Sequence, residues 1–259
     1  MSSNPILHSK TIGQGRPLLI LHGYFGSGDN WKMIANRLAA TFQVHLIDQR
    51  NHGRSFHTDA FDYELMVEDL RTYIEHYQLE KVNLLGHSMG GKTVMLFAVE
   101  YPTLVDKLIV ADIAPRMYPP HHQDILDALN FVDFSIQNSR KLVDAKLAEF
   151  IPEVGVRQFL LKNVYWKEKG QLDFRFNLQS LTENNNEVGA ALPSFTVFNG
   201  ETLFLKGENS GYISVDEEPL IKAHFPNASI TTIANAGHWL HAENPTDFYT
   251  EVFDFVKEK

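Results

Sequence analysis

Short, continuously apolar runs alternate along this chain with longer stretches whose apolar residues recur every three or four positions. Pro17–Leu21 (PLLIL) is the first such run, and residues 44–48 (VHLID), 82–85 and 108–112 (LIVAD) repeat the theme. A run without polar alternation is what a strand buried on both faces needs. Strands of that kind separated by helical segments predict a parallel sheet with crossover helices. Met66, Leu70, Ile74 and Tyr77 keep helical spacing. Residues 203–205 and 229–233 read as two further strands. Asn244-Pro245 then supplies an N-cap and a first-turn proline for a last helix with Phe248, Val252 and Val256 on one face.

Residues 115–193 break the alternation. They hold no convincing buried strand but several amphipathic segments, clearest at 124–131, 141–150 and 156–164. That is several times the length one crossover needs, which predicts a helical cap (115–193) set into a core formed by 1–114 and 194–259.

The composition narrows the class. The chain has 259 residues, 44 % of them hydrophobic, enough for a sizeable core. A net charge of −9 offers no basic field to draw in nucleic acid or an anionic membrane. With no cysteine, disulfides, thiolate nucleophiles and cysteine-based zinc sites are excluded. The first ten residues (MSSNPILHSK) lack the pattern of a secretory signal, and no apolar run reaches membrane-spanning length, so a cytoplasmic protein is expected.

The chemistry concentrates at Gly86-His87-Ser88-Met89-Gly90, between the run at 81–85 and a helical segment at 91–101. A turn this tight from strand to helix strains its central residue and lifts the Ser88 hydroxyl out of the sheet, with glycines on either side to relieve the crowding. A carbonyl attacked there passes its negative charge to the Met89 N–H at the helix N-terminus. A serine hydroxyl is a poor nucleophile without a base. Of the 12 histidines, His238 is singled out by its position, in Ala236-Gly237-His238-Trp239 between the last strand and the last helix, at the same sheet edge as Ser88.

With these residues in place, the chain resembles the α/β-hydrolases across nearly its whole length. Leu21-His22-Gly23-Tyr24 resembles their oxyanion loop, Ser88 their nucleophile elbow, and Gly237-His238 their histidine loop. Residues 48–55 (DQRNHGRS) match the D-x-R-x-x-G-x-S segment of the capped branch. IDQRNHGRS, GHSMGGK and ADIAP together resemble small cytoplasmic serine esterases. The resemblance implies a mostly parallel, doubly wound sheet with a helical cap inserted after the sixth strand, and oxyanion donors at the backbone N–H groups of Tyr24 and Met89. It also implies a monomer or homodimer, no cofactor, and a small acyl ester or thioester as substrate.

One departure stands out. Many members carry the triad acid in a G-x-x-D pattern after the seventh strand, where this chain reads Gly207-Glu208-Asn209-Ser210. Asp112, at the tip of the neighbouring strand only about 5 Å away, is the expected replacement, with Glu208 and then Asp216 as alternatives. Phe25, His22, Lys92 and Trp239 are expected to contact substrate, although His22 also suits a loop-ordering role and Lys92 a packing role. Arg50 and Arg54 suit an internal ion pair better than a substrate anion. His121-His122 and His52/His57 lack the ligand spacing of a metal site. A serine nucleophile disfavours dehalogenase and epoxide hydrolase chemistry. Carbon–carbon bond hydrolysis, perhydrolysis and a non-catalytic binding module are the alternatives to ester hydrolysis.

Overall fold

The computed structural model describes residues 5–120 and 122–257. Along the chain come β1 (Ser9–Ile12), β2 (Pro17–Leu21), α1 (Lys32–Leu38), β3 (Gln43–Ile47), α2 (Tyr63–His76), β4 (Val82–His87), α3 (Met89–Glu100) and β5 (Val105–Ala111). A long segment follows, with α4 (Gln123–Asn130), α5 (Arg140–Leu147), α6 (Val154–Leu161), the strands β6 (Val164–Glu168) and β7 (Gln171–Phe174), and α7 (Leu178–Glu183). The chain returns through β8 (Glu201–Gly207), α8 (Glu218–His224), β9 (Ala228–Ile233), the short α9 (Leu240–Glu243) and α10 (Pro245–Val256).

The described residues form a seven-stranded sheet in the order β1-β3-β2-β4-β5-β8-β9. Only β1 runs antiparallel, against β3. Successive residues of β2 alternate between two cores. Leu19 and Leu21 pack on the side of α2 and α3, and Leu18 and Ile20 on the side of α1 and α10. Both faces are therefore covered, which is why the strand sequences show no polar alternation. Asn244 caps α10 by accepting from Asp247 N–H, with Pro245 in the first turn and Phe248, Val252 and Val256 buried.

The register runs one row of partners across five parallel strands, at or near their carboxyl ends. Leu21 pairs with Gly86, Gly86 with Val110, Val110 with Phe204, and Phe204 with Ile230. The loops that leave just past this row share one edge of the sheet, where the strand order reverses around β2. That is the position at which open α/β sheets hold their ligands.

The structure departs from the sequence expectations in four places. Among the described residues the inserted segment follows the fifth strand of the chain, β5. The expectation set it after the sixth strand, and five strands, β1 to β5, precede it here. The segment holds a β-hairpin as well as helices: β6 and β7 pair only with each other around a two-residue turn at Lys169-Gly170. Gly170 adopts the left-handed φ of 86° that this turn requires. Most of β6 is exposed, so it carries no buried apolar run. The edge strand β1 is short and half-exposed and gave no signal either. Tyr77 caps α2 from outside and is exposed, whereas Tyr73 is the buried residue of that turn.

Candidate active site

Ser88 stands at the junction of β4 and α3 with φ 53° and ψ −119°, a backbone conformation that few non-glycine residues adopt. Its amide donates to Ala111 O at 3.0 Å, which fixes the turn to the neighbouring strand. A Cβ on Gly86 would lie 2.2 Å from Gly90 O, so this crossing admits only glycine. The loop after β2 passes directly over the serine, since a Cβ on Gly23 would sit 3.2 Å from Ser88 Cβ.

His238 lies in the loop after β9 and donates from Nδ1 to Asp112 Oδ2 at 2.8 Å. That bond selects the tautomer and leaves the Nε2 lone pair as the basic site of the ring. Asp112 follows β5, is fully buried, and has φ 53°. Its Oδ1 accepts from Gly207 N–H at 3.0 Å, and its Oδ2 also accepts from the Ser210 hydroxyl. A buried carboxylate with three donors is satisfied as an anion. Glu208 instead accepts Asn235 N–H at 2.7 Å on the exposed side of the loop, and Asp216 sits exposed in a short turn, so neither meets His238.

Ser88 and His238 line a single cavity of about 190 Å³. One wall is apolar and comes from the inserted segment: Ile125 of α4 and Val156, Phe159 and Leu160 of α6. The opposite wall holds His22, Tyr24, Phe25, Trp31, His87 and His241, with Trp239 beside Phe159 at 5.3 Å between ring centres.

The neighbouring imidazoles are neutral fixtures. His22 donates from Nδ1 to Gly23 O at 2.8 Å and accepts Gln49 N–H on Nε2 at 3.0 Å, and burial lowers its pKa to about 4. His52 accepts Phe25 N–H at 3.2 Å and donates to Arg50 O at 2.9 Å, with its pKa lowered to about 3, chiefly by burial. His87 donates from Nε2 to His238 O at 2.7 Å, and burial drives its pKa well below the ordinary value. Burial also lowers His241, stacked on Trp31 at 4.0 Å, to about 3.

The D-x-R-x-x-G-x-S segment is a brace. Asp48 accepts from Gly28 N–H at 2.7 Å and Arg54 N–H at 2.9 Å, and Arg50 pairs with Asp69 through two hydrogen bonds.

The alpha/beta hydrolase fold model matches residues 16–150. The chain belongs to the α/β-hydrolase family. It is 38 % identical to an sn-1-specific diacylglycerol lipase of Danio rerio over 254 residues, covering 95 % of this chain and 80 % of that one. It is 35 % identical to the esterase YbfF of Escherichia coli, covering 88 % of each. Among solved structures, a marine microorganism esterase superposes with a TM-score of 0.95 at 45 % identity, covering 98 % of this chain and 100 % of that one.

Within this hydrolase fold, one residue expected at the site lies elsewhere. Lys92 is buried on α3 but points away from the cavity, donating to Arg116 O and to Ala190 O at 2.8 Å. It ties together the two ends of the inserted segment, and burial brings its pKa down to about 7. Nearly all of α3 is buried, so the sequence could not tell which way its lysine faces. Of the histidines weighed for a metal, His52 and His57 serve other partners, with His57 facing Arg175 O at 3.2 Å, and His121 lies outside the described residues. Among the described residues no cluster of three or more His, Cys, Asp or Glu is arranged to hold a metal ion.

Further contributors escaped sequence reasoning. Glu243 accepts from Gly237 N–H at 2.6 Å and from Trp239 N–H at 3.2 Å, clamping the amides on both sides of His238. Asn163 holds Phe25 O at 2.8 Å, and Tyr24 donates its hydroxyl to Leu181 O at 2.8 Å, so the inserted segment grips the loop over Ser88. Ser210 left a trace in the sequence, as the serine where aspartate was expected, but without a role.

Proposed function

We propose that this α/β-hydrolase is a carboxylic ester hydrolase that acts through an acyl-enzyme on Ser88, with His238 as general base and Asp112 as its orienting acid. The observation that carries the reading is the His238 Nδ1–H bond to buried Asp112, made by a ring that shares a cavity with the strained Ser88. The relatives named as esterases and a diacylglycerol lipase support esters as the substrate class.

In this mechanism His238 Nε2 takes the Ser88 hydroxyl proton as Oγ attacks the acyl carbonyl. The oxyanion is received by Met89 N–H and Tyr24 N–H, each donor contributing about 3–4 kcal/mol to lowering the barrier. The next two loop amides are committed, Phe25 to His52 and Gly26 to Gly23 O, which leaves Tyr24 for the task. His238 protonates the departing alcohol or thiol. Water then repeats the sequence to release the acid and restore Ser88.

A core of 1–114 and 194–259 carries this chemistry, and 115–193 acts as a cap that selects the acyl group. The cavity is smaller than the roughly 300–1,000 Å³ of pockets for drug-sized ligands, and its cap wall is apolar, so short to medium acyl chains fit best. Among the described residues no helix is long and apolar enough to cross a membrane.

A fluorophosphonate probe together with p-nitrophenyl esters from acetate to palmitate and matching acyl-CoA thioesters tests the reading. Labelling lost in Ser88→Ala and turnover centred on short esters are expected. Folded protein that is neither labelled nor active across both series would overturn it.

A further inference from the structure

The Tyr212 ring lies flat on the His238 imidazole, with ring centres 3.9 Å apart and planes 17° from parallel. We infer that Tyr212 is a positioning residue for His238, holding the ring against rotation and favouring the imidazolium that forms when Ser88 gives up its proton. This inference rests on the acyl-enzyme reading above.

An imidazole tied only through Nδ1 retains freedom to swing about that bond, and a parallel ring face removes it. The electron-rich face of a phenol also attracts a cation developing above it. Both effects act while His238 carries the transferred proton, so they assist the transition state more than substrate binding.

Tyr212 is itself held from behind. Its amide donates to Ser210 Oγ at 3.2 Å, and its carbonyl accepts the Tyr118 hydroxyl at 2.5 Å. Arg116 sits over the Tyr118 ring at 3.7 Å and pairs with Glu217. These holds on Tyr212 use its backbone, so replacing the side chain leaves them in place.

Several ionisable groups face His238 or its stack. Asp112 accepts its Nδ1–H, and neutral His87 and His241 lie on its core side. His122 lines the same cavity, Glu243 clamps the flanking amides, and Arg116, Glu217 and Lys92 surround Tyr118. All of these side chains are retained in the Tyr212 variants.

The experiment compares wild type with Tyr212→Leu and Tyr212→Phe in p-nitrophenyl butyrate hydrolysis from pH 5 to 9, with Ser88→Ala as reference. Tyr212→Leu is expected to lower kcat by about tenfold with KM little changed, and to move the acid limb of kcat/KM to lower pH. Tyr212→Phe keeps the ring and is expected to match wild type in both. If Tyr212→Leu does not fold, Tyr212→Gln supplies a side chain of similar reach without a ring. A folded ringless variant with the wild-type kcat and acid limb would overturn the inference and leave the acyl-enzyme reading intact. Wild-type turnover that survives Ser88→Ala would overturn that reading instead.

Discussion

Ser210 donates its hydroxyl to the same oxygen of Asp112, Oδ2, that receives His238 Nδ1–H. The position where many relatives carry the acid thus supports an acid supplied by the next strand. Asp112→Asn is expected to cost about 10³–10⁴ in kcat, because the imidazole loses its tautomer and its counter-charge. Ser210→Ala removes one donor of three and is expected to cost about tenfold. Glu208→Gln should stay within about twofold of wild type, since its carboxylate faces Asn235. Steady-state kinetics of the three variants decides; a loss in Glu208→Gln without one in Asp112→Asn would refute the placement.

Glu243 holds the amides on both sides of His238. Glu243→Ala frees the loop, so kcat is expected to fall about tenfold and hydrogen exchange at Gly237 and Trp239 to speed up, with the sheet still protected. Unchanged exchange in that loop would show that Asp112 alone fixes it.

A methyl group on Gly23 would meet His87 Nδ1 at 2.9 Å and Ser88 Cβ at 3.2 Å. Gly23→Ala is therefore expected to push the loop off the serine and lower kcat/KM by about 10²-fold, with little change in Tm. A variant with wild-type kinetics would mean that the loop amide at Tyr24 does not serve the oxyanion.

How much of this was legible beforehand depended on burial. Strands buried on both faces announce themselves as unbroken apolar runs, and Ser88 was found because it sits just past one; β9 is half-exposed and polar, and His238 was found from its place between the last strand and the last helix. The hairpin β6–β7 pairs only with itself and is buried only at Val164, Leu172 and Phe174, so no unbroken apolar run marked it. The direction of Lys92, between substrate contact and packing, was illegible for the opposite reason: its helix is buried all round, and periodicity assigns no face to it. Glu243 and Tyr212 act through loops, whose contacts have no period to read.

Acid should unfold the protein from its histidines. Burial lowers the pKa of His22 to about 4 and that of His52 to about 3, against an ordinary value of 6.5. Between those values the unfolded chain takes up protons that the folded chain refuses. Stability is therefore full above about pH 6.5 and lost as pH falls towards 4, by up to about 3 kcal/mol for His22. Urea denaturation across this range should show a steep loss, and His52→Gln, which keeps an acceptor for Phe25 N–H, should reduce the slope by about one proton. An unchanged slope would mean that His52 protonates with the fold intact.

The cap wall should set chain length. Phe159→Ala opens the apolar side of the cavity, and the ratio of kcat/KM for p-nitrophenyl octanoate to that for acetate is expected to rise about tenfold. A ratio that does not move would place the acyl chain against another wall.

The hydrogen bond from Ser88 N–H to Ala111 O has a wider consequence. Ser88 and Asp112 leave two neighbouring strands one rung beyond paired residues, His87 opposite Ala111, on a single strand–helix–strand unit completed before the inserted segment begins. The distance between hydroxyl and carboxylate is thus set by the pitch of the sheet, as two teeth are by the gear that carries them. In the proposed mechanism, residues 115–193 can be rebuilt to admit other acyl groups without re-cutting that spacing, and the loops of His238 and Tyr24 are the parts left to be brought into alignment.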